Sequence, residues 1–120
     1  MIEKRRILYW EGSSKKDFKG FPIPVQKDMG VALFVVQLGQ TPGSAKPWKG
    51  LGPGIHELVE EHRGDAYRAV YTVRIGDAVH VLHAFQKKSK SGVATPQPDV
   101  ELIEKRLKAV LARYGLSGRS

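Results

Sequence analysis

Cysteine is absent from all 120 residues. That removes a disulfide framework, a zinc ribbon, an iron–sulfur cluster and a thiol nucleophile together. Long apolar runs are absent too, and none approaches the roughly 18 residues of a membrane span. Residues 7–10, Ile-Leu-Tyr-Trp, follow a basic start but are too short for a signal-peptide core. Negative charge is scarce: twelve Asp and Glu stand against twenty Lys and Arg, for a net charge of +8. The expectation is a cytoplasmic protein, soluble, with no membrane partner and a surface that favours a polyanion. Its length fits one domain over 1–120, with a core over about 5–114 and a frayed tail at 115–120.

Familiar chemical signatures are missing as well. Gly50-Leu51-Gly52-Pro53-Gly54 precedes a strand and lacks a Lys-Ser/Thr pair, so it is no phosphate loop. The histidines at 56, 62, 80 and 83 include no helical i,i+4 pair, and no serine elbow is visible. Neither a metal site nor a cofactor is expected.

Local patterning sets out the elements. Residues 7–10 read as a first strand. Ser13 or Ser14 opens a short helix that Gly20 ends. Residues 22–39 are ambiguous, because Val31 to Val36 would pass as a buried strand. Against that, Val25, Met29, Ala32, Leu33 and Val36 keep helical spacing, and Gly39 stands where a C′ glycine would. Length favours helix. Four glycines and three prolines in 40–54 predict a loop without regular structure. Strands are predicted at 55–60, 66–73 and 78–85, joined by turns short enough for an antiparallel meander. A polar loop follows at 87–97. A last helix starts near Asp99, an N-cap candidate, and turns Val100, Ile103, Leu107, Val110, Leu111 and Tyr114 to one face before Gly115 ends it. The order β-α-α-β-β-β-α predicts an α+β fold, with a mostly antiparallel sheet and helices packed on one face.

Candidate functional residues gather after residue 46, and each has two readings. Arg68 shares a strand face with Val70 and Thr72. It is either paired with a carboxylate such as Glu57, or a planar fork aimed at a phosphate. His83 leads into Lys87, Lys88 and Lys90, which form a solvated loop or a phosphate-gripping lip. Trp48 beside Lys49 either closes the core edge or stacks on an unpaired base.

Three blocks in order, KPWKGLGPGIHEL from Lys46, RGDAYRAVY from Arg63 and VLHAFQKKS from Val81, resemble the phage-derived, HigB-like branch of the RelE/ParE toxin superfamily. The resemblance runs over about residues 5–112 and implies two helices before the meander, so that 22–39 is helix. It implies the toxin of a type II toxin–antitoxin pair, an endoribonuclease that cuts translated mRNA on the ribosome without metal. Attack by a 2′-hydroxyl on the adjacent phosphate then needs a base, an acid and cationic stabilisation. On this chain it implies Arg68, Lys87, Lys88 and His83 as catalytic candidates, and Lys49, Arg63, Lys90 and Trp48 as RNA contacts. The implied partners are a helix-turn-helix antitoxin, the ribosome and mRNA, with a larger toxin–antitoxin complex on operator DNA. Relatives carry a basic residue where Val59 stands; Arg63 is the candidate substitute. Two alternatives remain: a ParE-like gyrase poison and a degenerate binding module.

Overall fold

A computed structural model describes residues 4–87 and 95–116. Among these the elements are β1 (Ile7–Trp10), α1 (Ser14–Lys19), α2 (Ile23–Gln37), β2 (Ala45–Pro47), β3 (Ile55–His62), β4 (Asp65–Thr72), β5 (Ala78–Lys87) and α3 (Gln97–Arg113). One sheet of five strands runs β1-β5-β4-β3-β2. The α+β class and the antiparallel meander β3-β4-β5 are as expected. No helix of the described residues is long and apolar enough to cross a membrane.

The ambiguous segment is helix. Pro22 lies at the N-cap of α2, and the helix ends as its glycine requires: Gly39 has φ 87°, and Gln40 N–H donates to Val35 O at 3.2 Å. A left-handed glycine at C′ allows that closing bond without Cβ strain. α3 closes in the same way, with Gly115 at φ 70° and Leu116 N–H on Leu111 O at 2.8 Å. Residues 115 and 116 are therefore tied down rather than frayed; 117–120 lie outside the described residues.

Three expectations need correction. The loop 40–54 contains β2, which pairs antiparallel with β3 through Ala45↔Leu58 and Pro47↔His56. Its partner imposes the strand, because three residues ending in proline carry no periodic signal. Asp99 is not the N-cap of α3: Pro96 takes that place and Asp99 stands in the first turn.

The third correction concerns the helices, which cover both faces of the sheet. Along β4, Tyr67, Ala69 and Tyr71 pack with α1 and α2, together with Leu58, Val79 and Val81. Val70 packs the other way, with Ile55, Leu82 and Phe85, against Ile103, Leu107, Val110 and Leu111 of α3. A bulge sharpens this. Val70 pairs with His83 and Tyr71 with Val81, which leaves Leu82 unpaired. The extra residue turns both Leu82 and His83 toward α3.

Polar side chains hold α3 in place. Arg106 donates from Nη1 to Leu82 O at 2.9 Å and from Nη2 to Ser13 Oγ at 3.1 Å. Gly12 permits that approach: its φ is 54°, and a Cβ there would meet the Arg106 guanidinium at 2.6 Å. At the helix end, Arg113 donates to Glu11 Oε1 at 2.6 Å. The second Glu11 oxygen lies 2.8 Å from His80 Nδ1, and the other ring nitrogen is 3.1 Å from Tyr114 Oη. Burial pushes the Glu11 carboxyl up, but its bonds to His80 and Arg113 outweigh that and lower its pKa below the ordinary value.

Ile103 is fully buried on α3, so Ile103→Ala is expected to destabilise the protein by about 2–5 kcal/mol in urea unfolding. Because the folded-state pKa of Glu11 is depressed, its contribution is complete above the unfolded carboxylate pKa. It is lost as pH falls through the lowered folded value. Glu11→Gln is accordingly expected to reduce the acid-side loss of stability in unfolding curves taken from pH 7 downward. An unaltered pH slope would refute that assignment.

Candidate functional site

Strand register decides which polar residues meet. Glu57 pairs with Val70 and Val70 with His83; Val59 pairs with Arg68 and Arg68 with Phe85; Glu61 pairs with Ala66 and Ala66 with Lys87. Paired residues share a face, so Glu57, Arg68, His83 and Lys87 all point to the α3 side. Lys46, opposite Glu57 on β2, joins them. α3 covers the middle of this face over Val70 and Leu82. Beyond it, toward the β3–β4 hairpin, a cleft of about 280 Å³ opens between Lys46, Val59, Glu61, Ala66 and Arg68.

Arg68 is the centre of this cleft. Its Nη1 donates to Glu57 Oε1, with side-chain exposures of 17% and 13% for the two partners. The carboxylate expected from β3 is therefore present. Yet the guanidinium is not used up, because its Nε is buried and has no hydrogen-bond partner among the described residues. A buried donor left unmade is costly; Nε itself is closed off from the cleft, and Nη2, which makes no hydrogen bond among the described residues, is the donor an anionic oxygen there could meet. Lys87, half-buried, lies on the same face and has no salt-bridge partner among the described residues.

The remaining candidates fall into different places. His83 is buried, with Nε2 2.7 Å from Asp99 Oδ1 and Nδ1 3.4 Å from Arg106 Nη1. Its ring stacks on Phe85 at 4.8 Å. These contacts hold His83 at the α3 interface, where it also lines a cleft with Lys16, Tyr67 and Phe85. Trp48 packs half-buried against the second core, and its backbone N–H donates to Ile55 O at 2.8 Å; it closes the core edge. Lys49 is exposed in the glycine loop, two residues beyond the end of β2.

Arg63 sits at the tip of the β3–β4 hairpin in a two-residue turn, with φ 51° at Arg63 and 87° at Gly64. Such turns need positive φ at both positions and are easiest with Asn or Gly at the first. An arginine there is held in a conformation its side chain disfavours, exposed at the open end of the cleft. Lys88 and Lys90 lie outside the described residues. Sequence reasoning missed Lys46 as a neighbour of the pair, since only the β2–β3 register brings it there. It also missed Asp99 and Arg106 as the partners that occupy His83.

A protein-family model described as "Phage derived protein Gp49-like (DUF891)" matches residues 16–108. A comparison with curated proteins finds no match. Among solved structures, one chain of the toxin-antitoxin complex RelBE2 from Mycobacterium tuberculosis is similar. It is 19% identical with a TM-score of 0.44, over 71% of this chain and 94% of that one.

Removing Glu57 leaves the Arg68 charge uncompensated in a mostly buried position. Glu57→Ala is expected to cost about 3 kcal/mol in urea unfolding. The double variant Glu57→Ala/Arg68→Met should recover most of that loss. If the double variant is no more stable than Glu57→Ala, the pair is not what sets the cost.

Proposed function

The chain belongs to the Gp49-like family of phage-derived proteins, and from that premise we propose that it is the toxin of a type II toxin–antitoxin pair, an endoribonuclease that cuts translated mRNA on the ribosome. The observation that carries this reading is Arg68, a guanidinium paired with Glu57 on a cleft that Lys46 also lines, with Lys87 on the same sheet face. Arg68 grips the scissile phosphate, and Lys87 adds charge as the pentacovalent intermediate gathers negative charge. Glu57, already bonded to Arg68, is the carboxylate placed to take the 2′-hydroxyl proton. The O2′–P bond forms and the P–O5′ bond breaks. The departing O5′ takes a proton from water, Glu57 returns its proton to solvent, and a 2′,3′-cyclic phosphate and a 5′-hydroxyl remain. No step requires a metal. In this reading Arg63, Lys49, Lys88 and Lys90 grip RNA outside the cleft, with Trp48 as a stacking contact. An antitoxin carrying a helix-turn-helix would neutralise the toxin in the cytoplasm and assemble with it on operator DNA.

A second reading has one observation in its favour. Val59 stands directly across from Arg68, so β3 supplies no second cation on this face. A binding module that has lost catalysis would look the same.

mRNA cleavage in a reconstituted translation reaction separates these readings. Wild-type protein is expected to cut only when ribosomes are present, and Arg68→Ala to lower the rate by about a hundredfold or more. Glu57→Gln, which keeps an acceptor for Arg68 but not the charge, should lower it as well, with urea unfolding run beside the assay to separate loss of activity from loss of stability. Cleavage that survives Arg68→Ala would overturn the site. Absence of cleavage by wild type would favour the degenerate module or gyrase binding, and a gyrase supercoiling assay distinguishes those two.

A further inference from the structure

On the sheet face that α1 and α2 cover, a small cavity of about 60 Å³ opens between the end of α2, the residue before β1 and the β3–β4 pair. Five polar side chains line it: Arg6, Gln40, Thr41, His56 and Tyr71. None of the five makes a side-chain hydrogen bond among the described residues. Folded proteins pair nearly all of their buried polar groups, so unmet ones gathered at one place need a reason.

Tyr71 is the sharpest case. It is 2% exposed, and its ring stacks on His56 at 5.7 Å, in the register that pairs the two residues across β3 and β4. Its hydroxyl is unbonded yet not sealed off, so it opens into the cavity. A phenol buried without a partner is costly. His56 Nδ1 is sealed and unpaired; Nε2, unpaired as well, is the ring nitrogen that stays open.

The lining favours negative charge. Arg6 carries donors only, and it has no salt-bridge partner among the described residues. Asp77, which precedes the Ile7↔Ala78 pair as Arg6 does, makes none with it. Burial pushes the Tyr71 phenol up to about 12, so the hydroxyl keeps its proton at neutral pH and donates. No carboxylate lines the cavity. The C-terminal end of α2 is unfavourable to an anion, but its carbonyls are already taken. Leu38 N–H donates to Phe34 O and Val35 O, Gly39 N–H to Val36 O, and Arg6 N–H to Gln37 O. A space of this size holds a few waters or one compact ion. Water alone would leave the charge of half-buried Arg6 without a counter-charge.

We propose that this cavity binds a phosphate group, held by the Arg6 guanidinium and by the hydroxyls of Tyr71 and Thr41 beside the His56 ring. A planar guanidinium suits a tetrahedral oxyanion. Free phosphate and the terminal phosphate of a nucleotide present the same chemistry here. Tyr71 points to the opposite face of the sheet from Arg68, and the inference does not depend on the reading of that cleft.

Calorimetric titration and thermal unfolding of the whole protein, in a buffer free of phosphate, test it with inorganic phosphate. Wild type is expected to bind saturably and to unfold at a higher temperature as phosphate is added. Arg6→Ala should weaken binding about tenfold or more, and Tyr71→Phe about threefold or more. Tyr71→Phe also separates binding from folding. Without phosphate it should be no less stable than wild type, because the hydroxyl it removes is unpaired. Arg5→Ala removes an exposed cation outside the cavity and should bind as wild type does. Adenosine 5′-monophosphate is the second probe. If it competes with inorganic phosphate, the cavity takes the end of a nucleotide; if only inorganic phosphate binds, it takes the free ion. Four outcomes would overturn the proposal: no saturable binding of either probe; equal binding by Arg6→Ala; an equal loss in Arg5→Ala, which would mean diffuse attraction to a chain of charge +8; or a Tyr71→Phe variant that unfolds earlier than wild type without phosphate, which would mean that water already satisfies the hydroxyl.

Discussion

Every residue from Ala78 to Phe85 is buried. A strand buried along its whole length needs cover on both faces of its sheet, and that requirement organises the molecule. α1 and α2 cover one face and leave Val70, Leu82 and Phe85 to be covered from the other. Only α3 is available for that, and it arrives from the far end of the chain. Docking it well is therefore the fold's central problem. The Leu82 bulge, the reach of Arg106 across to Leu82 O and Ser13, and the Arg113–Glu11–His80–Tyr114 network all bear on it.

The cleft at Arg68 follows from how much α3 covers. The helix seals the apolar middle of the face and stops short of the β3–β4 hairpin. There the side chains turn polar, at Glu57, Glu61, Arg68 and Lys87. The rigid meander, rather than a loop, sets the spacing of these groups. That is the kind of support a site needs to hold a guanidinium and a carboxylate in fixed geometry.

The charge balance has a structural side as well. Of the twelve acidic residues, Glu11, Glu57 and Asp99 are engaged internally, by Arg113 and His80, by Arg68, and by His83. Two of these pairings engage a cation as well, while Lys4, Arg5, Lys15, Lys16 and Lys19 stay exposed. α2 departs from this in the other direction, with Ile23, Val31 and Phe34 exposed among the described residues.

The sequence by itself determined the local matters. Helical spacing favoured a helix over 22–39, and the glycines at 39 and 115 marked where α2 and α3 end, since both signals depend on neighbours within a few residues. Alternation along 65–72 placed Arg68 and Val70 on one face, and short turns implied the meander. Even the Glu57 partner was legible, because two strands joined by a tight turn have a nearly forced register. Only the tertiary structure decided the rest. An apolar stripe tells that a helix is covered, not which face of a sheet covers it, so α3's side was not readable. Nor was β2, whose three residues are a strand only because β3 lies beside them. Glu11 and Arg113 are 102 residues apart, and His83 meets Asp99 and Arg106 across the same interface. Contacts of that range leave no pattern along the chain, because they are made by packing and not by sequence neighbours.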